Sequence, residues 1–281
     1  MAKRKRYKKV EQSLVDIIIP VHNRFDILED CLAAIPDAFD DISYKIILVD
    51  NGSETLDAKN FYDQFVDDTN IIVTRNATNE GFPKACNKGF NKGSSPLVFF
   101  LNSDVIMENG SGVKLVKDLD DPTIGIAGMK LLFPSPEETM GAGLDMNIRP
   151  PQKVQHVGLV TNIRGEIIHA MIGWSSDNPR VENVRDVMAV TGAALMTRRE
   201  LYRTVGGFDE IYGVGTFEDV DYCLKIRRIP KNVIVDTKAV GTHYVGATAE
   251  KYKQAFPLNK NYQIFISRWR ENLMHTDWQV L

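Results

Sequence analysis

Val15–Val21, reading VDIIIPV, is a short run of apolar and β-branched residues that stops at His22-Asn23-Arg24, and it decides the fold. Four runs of the same kind follow: Lys45–Val49 (KIILV), Ile71–Thr74 (IIVT), Leu97–Leu101 (LVFFL) and Ile124–Met129 (IGIAGM). Segments this short and this continuously apolar are strands covered on both faces, as in parallel sheets. Between the first two, Ile27, Leu28, Cys31, Leu32 and Ile35 recur at helical spacing, with Asn23 or Asp26 placed to cap the start. Helices are also predicted over Thr55–Phe65, Pro83–Lys92 and Gly110–Asp118, the second with a proline in its first turn. This alternation predicts a doubly wound α/β sheet, which binds its ligand at the carboxyl ends of the strands near a topological switch point.

From Phe133 to Arg185 the pattern breaks into loops rich in Pro, Gly and Asn, with weak strand signals at Val154–Val160 and Glu166–Ala170. Regular patterning returns with Val187–Thr197, a helix near Arg199–Val205, a turn at Gly206-Gly207, a helix over Glu218–Arg227, a strand at Asn232–Val235 and a helix over Leu258–Leu273. In the last stretch, Trp269 and Trp278 suit packing on the body or on a second subunit.

With 281 residues, 43% hydrophobic and 25% charged, the chain has enough apolar surface for a sizeable core, which excludes disordered, collagen-like and coiled-coil proteins. Net charge is −3, but the first nine residues carry +6, so a basic arm precedes a body of −9. Such an arm suits an anionic membrane surface, the phosphates of nucleic acid, or a solvated tail. Cys31, Cys86 and Cys223 are far apart and odd in number, which points to no disulfide framework or zinc knuckle and to a reducing compartment. No apolar run approaches the roughly 20 residues that span a bilayer. The expectation is a soluble cytoplasmic protein, attached to a membrane at most peripherally.

The first strand ends in Pro20, Val21, His22 and Asn23, and the second in Asp50-Asn51-Gly52-Ser53. Neighbouring parallel strand ends converge on one rim, so a base or ribose fits between them; the alternative is that Asp50 and Asn51 only make the turn into the next helix. No G-x-G-x-x-G follows the first strand, which argues against a dinucleotide-binding half. LVFFL runs into Asn102-Ser103-Asp104, where an acid on the rim suits a hard divalent cation, or caps a turn. Glu218, Asp219 and Asp221 open a predicted helix, whose dipole alone would favour acids there. The glycine-rich approach through Gly213 and Gly215 offers one of them entry to a cleft as a general base. His243, after the last strand, can reach the same rim. His156 and His169 either pack or line an acceptor pocket, and His275 carries no signal.

Together the segments VDIIIPVHNR, ILVDNGS, NEGFPKACNKG, FFLNSDV, VTGAALMTRRELYRTVGGFDE, FEDVDYCLKIR and VGTHYVG resemble, in order from about residue 15 to 246, the family-2 glycosyltransferases of GT-A fold, in the branch with rhamnosyltransferase-like enzymes. The resemblance implies a Rossmann-like nucleotide-diphospho-sugar transferase, with a mixed, mainly parallel sheet flanked by helices. A basic arm over 1–12 would precede one catalytic domain over 13–257, with a nucleotide-binding half at 13–130 and an acceptor-binding half at 131–257. A C-terminal helical segment, 258–281, would follow. The implied activity is inverting, metal-dependent transfer of one sugar from a UDP- or dTDP-linked donor to a hydroxyl of a glycan, a lipid-linked saccharide or a modified nucleic-acid base.

By the same resemblance Pro20, Val21, His22, Asn23 and Asp50 would hold the nucleoside, and Asn79, Gly81, Phe82 and Lys84 would close over the nucleotide and diphosphate. Asn102, Ser103 and Asp104 match the D-x-D element, with Asp104 and His243 as ligands to Mn²⁺ or Mg²⁺. Thr191, Gly192, Ala193 and Glu218 would line the donor-sugar or acceptor side, and Asp219 would be the catalytic base. Asn102 departs from the family's first aspartate, and Lys225 stands where arginine is common. The Q-x-x-R-W element of processive members is absent, because Gln263 lies five residues before Arg268-Trp269. Two rivals are a sugar nucleotidyltransferase and a non-catalytic nucleotide- or carbohydrate-binding protein on the same fold.

Overall fold

Val15–Val21 forms β1, which lies inside a nine-stranded sheet and is buried along its length except at Pro20. A computed structural model describes residues 12–141, 150–162, 165–244 and 256–274; the basic residues 3–9, Gly246, His275 and Trp278 lie outside them. The strands β2 (Tyr44–Asn51), β3 (Ile71–Asn76), β4 (Leu97–Leu101), β5 (Val105–Met107), β6 (Ile124–Leu132), β7 (Val154–His156), β10 (Ala194–Arg198) and β11 (Asn232–His243) complete the sheet. Its order is β3-β2-β1-β4-β10-β6-β11-β5, with β7 paired to β6. The short strands β8 (Leu159–Thr161) and β9 (Ile167–His169) form a separate pair.

β3, β2, β1 and β4 are mutually parallel, and β11 is parallel to β6; β10 is antiparallel to both β4 and β6. Successive side chains face opposite layers. Ile17, Ile19, Leu48, Phe99 and Leu101 pack under α1 (Phe25–Phe39), α2 (Thr55–Tyr62) and α4 (Ser111–Asp118). Ile18, Ile47, Val49, Val98 and Phe100 pack under α3 (Phe82–Phe90), α7 (Arg199–Thr204), α8 (Glu218–Arg228) and α9 (Leu258–Met274). Two short helices, α5 (Pro136–Gly141) and α6 (Pro179–Glu182), lie in the irregular middle.

The chain winds one way from β1 to β3 and then crosses to β4 on β1's other side, so the switch point lies between β1 and β4. The registers open a cleft there. β1 pairs with β2 as far as Val21↔Asp50 but with β4 only as far as Ile18↔Phe100. Pro20, which has no N–H to donate, thus falls beyond the β4 pairing, where its missing donor costs no ladder bond.

Several local expectations change. Neither Asn23 nor Asp26 caps α1, whose N-cap is Arg24 at φ 51°; Asn23 instead accepts the Glu54 N–H and Asp26 pairs with Arg24. Val154–Val160 splits into β7 and β8, separated at Val157-Gly158, where Gly158 has φ 108°. Val187–Thr197 is strand only from Ala194, because the chain before it joins β8 and β11 through single bridges. The last strand runs on to His243, its pairing with β6 irregular between Asp236 and Val240. Among the described residues, no helix is long and apolar enough to cross a membrane.

Candidate active site

Each wall of the pocket is supplied by the end of an element. A pocket of about 340 Å³ opens at the switch point, and the end of β1 with the residue after it (Pro20, Val21, His22), Asn51 from β2, Asn79 and Phe82 around the start of α3, and Asn102, Ser103 and Asp104 after β4 line one side. Thr191, Gly192 and Ala193 before β10, the loop Val214-Gly215-Thr216, Glu218, Asp219, His243 and Phe256 line the rest. That volume accommodates an organic ligand of ordinary size.

β5 explains how Asp104 meets His243. It pairs antiparallel to the end of β11, with His243 opposite Val105, and this sets His243 Nε2 3.3 Å from Asp104 Oδ1. Asn102 Nδ2 is 3.5 Å from the same ring nitrogen, and Gln155 Oε1 lies 3.3 Å from Nδ1. With Gln155 accepting the Nδ1 proton, Nε2 turns its lone pair towards a carboxylate, and a cation between them would satisfy both. One carboxylate and one imidazole suit Mn²⁺ or Mg²⁺, provided phosphate oxygens or water complete the shell. Among the described residues no group of three or more His, Cys, Asp or Glu could enclose a metal by itself. The donor set therefore fits an open site shared with a ligand.

On the facing wall, α8 begins at Glu218 behind Thr216 (φ 83°) and Phe217 (φ 72°). Asp219 accepts the Gly192 N–H at 2.9 Å through Oδ2 and the Val220 N–H at 2.8 Å through Oδ1. Burial pushes its pKa above the usual carboxylate value, and the N–H bonds from Gly192 and Val220 pull against that rise. Glu218 is 5% exposed, and among the described residues its Oε2 has no hydrogen-bond partner. Burial, and then the neighbouring Asp219, raise its pKa well above the ordinary value.

Four of the expected site residues do not line the pocket. Asp50 is fully buried, with Oδ2 2.6 Å from Arg75 Nε and Oδ1 accepting the Ser53 N–H. Asn23 donates its N–H to Ser53 Oγ. Gly81 stands behind Phe82, its carbonyl taken by Asn51 Nδ2, and Lys84 is half exposed beside Glu80. His156 and His169 pair with each other, Nδ1 to Nδ1 at 2.9 Å, outside the lining.

Asn51, Val214, Gly215, Thr216 and Phe256 line the pocket without having been assigned a site role from sequence. Asn51 also organises the loop to α3: its Nδ2 donates to Asn79 Oδ1, and its Oδ1 accepts from Asn76 Nδ2 and the Glu80 N–H. Its place directly after the predicted strand-end aspartate was the available signal, as the glycines were for Val214 to Thr216. Phe256 carried none.

A mixed sheet whose parallel strands part at the switch point, with Asp104 and His243 on one wall of the gap and Glu218 and Asp219 on the other, is the arrangement of the GT-A fold. The chain belongs to glycosyl transferase family 2, whose sequence model matches residues 16–202. It is 27% identical over 253 residues to the O-antigen biosynthesis protein RfbC of Myxococcus xanthus, a match covering 87% of this chain and 18% of RfbC. The crystal structure of GalNAc-T7 with UDP, GalNAc and Mn²⁺ superposes with a TM-score of 0.64 at 15% identity, covering 84% of this chain and 44% of that one. The mannosyltransferase PcManGT of Pyrobaculum calidifontis, with GDP-Man and Mn²⁺, gives 0.57 at 17% identity, covering 87% and 65%. The chain spans a quarter or less of the first curated relatives it matches.

Proposed function

We propose that the protein moves one sugar from a UDP- or dTDP-linked donor to a saccharide hydroxyl, with inversion at the anomeric carbon. The observation that carries this reading is that Asp104 and Asp219, 115 residues apart in sequence, line one pocket from opposite elements. In the proposed arrangement Pro20, Val21, His22 and Asn51 face the nucleoside, while Asn79 and Phe82 close over it. Asp104 and His243 would hold a divalent cation, which would supply positive charge to neutralise the departing diphosphate.

Asp219, held by the Gly192 and Val220 N–H groups, takes the proton of the acceptor hydroxyl. The hydroxyl oxygen forms its bond to the anomeric carbon from the face opposite the diphosphate. The bond from that carbon to the diphosphate oxygen breaks, and nucleoside diphosphate departs as an anion. Thr191, Gly192, Ala193 and Glu218 shape the donor-sugar and acceptor side. Residues 13–130 make up the nucleotide half and 131–257 the acceptor half. The likeness to RfbC supports a glycan or lipid-linked saccharide as acceptor, with the basic arm directed to an anionic membrane surface where the latter resides.

Asp219→Asn is expected to lower transfer by about a hundredfold or more while leaving the thermal shift produced by UDP with Mn²⁺ unchanged. In the wild type, kcat/KM should fall on acidification as Asp219 gains its proton, at a higher pH than for an ordinary aspartate because burial raises its pKa. Near wild-type turnover in Asp219→Asn removes this mechanism, and a UDP shift that is the same with Mn²⁺ and with chelator removes the metal assignment.

A further inference from the structure

α9 follows the matched family segment, and its inner face grips the loop that leads to the proposed base. Asn261 is 1% exposed, and its Nδ2 donates to Tyr212 O at 2.8 Å and Gly215 O at 2.7 Å, with Thr216 O at 3.3 Å and Thr216 Oγ1 at 3.2 Å. One amide group thus gathers the carbonyls of a turn in which Gly213 and Gly215 adopt positive φ, as do the non-glycine residues Thr216 and Phe217. A β-branched residue followed by an aromatic, both in the left-handed region, is a costly conformation that persists only where its surroundings enforce it.

The enforcement comes from α9: besides the Asn261 bonds, Phe265 stacks on Phe217 with ring centroids 5.3 Å apart. The loop in turn touches both walls. Val214 O accepts the Phe82 N–H at 3.1 Å, and Thr216 and Phe217 lead directly into Glu218 and Asp219.

We propose that Asn261 is a positioning residue, which holds the strained loop 212–217 so that α8 presents Asp219 to the acceptor. This rests on the transferase reading of the pocket. Arg268 and Trp269 of the same helix bind Asp221 on α8, at 3.3 Å through Nη1 and 2.8 Å through Nε1. The helix is therefore braced two residues past the base, and Asn261 supplies the contact ahead of it.

The test compares wild type, Asn261→Ala and Arg228→Leu in the full chain. Arg228→Leu is the control, because Arg228 stacks on Trp269 and donates to Asn272 without touching the loop. Asn261→Ala is expected to raise amide hydrogen exchange across 213–217 by about tenfold or more. It should also lower kcat by about tenfold to a hundredfold, with the donor KM within about threefold, since the Asp104 side is untouched. Arg228→Leu should lower Tm and leave both readouts in place. Unchanged exchange at 213–217 in Asn261→Ala overturns the proposal, as does an equal loss of kcat in Arg228→Leu at comparable Tm. Absence of transfer by the wild type sinks the transferase reading instead, and the exchange comparison then decides the clamp by itself.

Discussion

Asp16 is fully buried at the start of β1, and its carboxylate receives Arg199 Nη2 at 2.5 Å, the Ser95 N–H at 2.8 Å and the Ser95 hydroxyl at 2.7 Å. Arg199 in turn donates to Ser95 O and Phe90 O, so one guanidinium joins the starts of β1 and α7 to the end of α3. Removing one member of such a pair leaves a buried charge uncompensated, and Asp16→Ala is expected to cost about 3–5 kcal/mol in urea unfolding; a loss under about 1 kcal/mol would show that water reaches Arg199. In sequence, Asp16 is only a polar letter in VDIIIPV, and its partner lies 183 positions away, so no local pattern announces it. Glu218 and Asp219 were legible as acids opening a predicted helix behind a glycine-rich approach, and both line the pocket. Asp50 was legible as a strand-end carboxylate, but its engagement with Arg75 depends on the β2–β3 register, which places the two opposite each other.

Strands with continuous apolar runs were legible within a few residues, because burial on both faces demands that composition. β5 was not, since three residues carry no period, yet its pairing with β11 is what brings Asp104 to His243. β10 was overextended because Val187–Val190 are as buried as a strand while belonging to none. The junction between α3 and the 212–217 loop depends on one small residue: a Cβ on Gly81 would fall 1.9 Å from Gly213 O, at a φ of +91° that other residues rarely adopt. Gly81→Ala must therefore push the loop off α3 or shift the helix start. The expected cost is about 2–3 kcal/mol in urea unfolding. A variant within about 0.5 kcal/mol of wild type would mean that the junction yields freely.

At the scale of the whole molecule, the sequence announced the doubly wound sheet more clearly than the irregular middle from Phe133 to Arg185, none of whose described residues lines the pocket. That middle is joined to the pocket floor by a histidine pair. His156 Nε2 accepts N–H bonds from Thr191 at 3.2 Å and Gly158 at 3.3 Å, so its proton sits on Nδ1 and is donated to His169 Nδ1. Both rings must be neutral for this chain of bonds. Burial holds His156 well below its usual value and pushes His169 down to about 4. An unfolded chain takes up these protons near pH 6.5, whereas the native one refuses His169's until about pH 4, so stability is full above 6.5 and falls as pH drops between the two. Glu218 and Asp219 act in the opposite sense, because their raised pKa values let the native state bind protons first. The histidine contribution is isolated by comparing wild type with His169→Gln. Between pH 7 and 5 the wild type should lose about 2 kcal/mol more than the variant, read as a steeper fall in Tm. Parallel Tm profiles would mean that His169 meets solvent as freely in the native state as in the unfolded one.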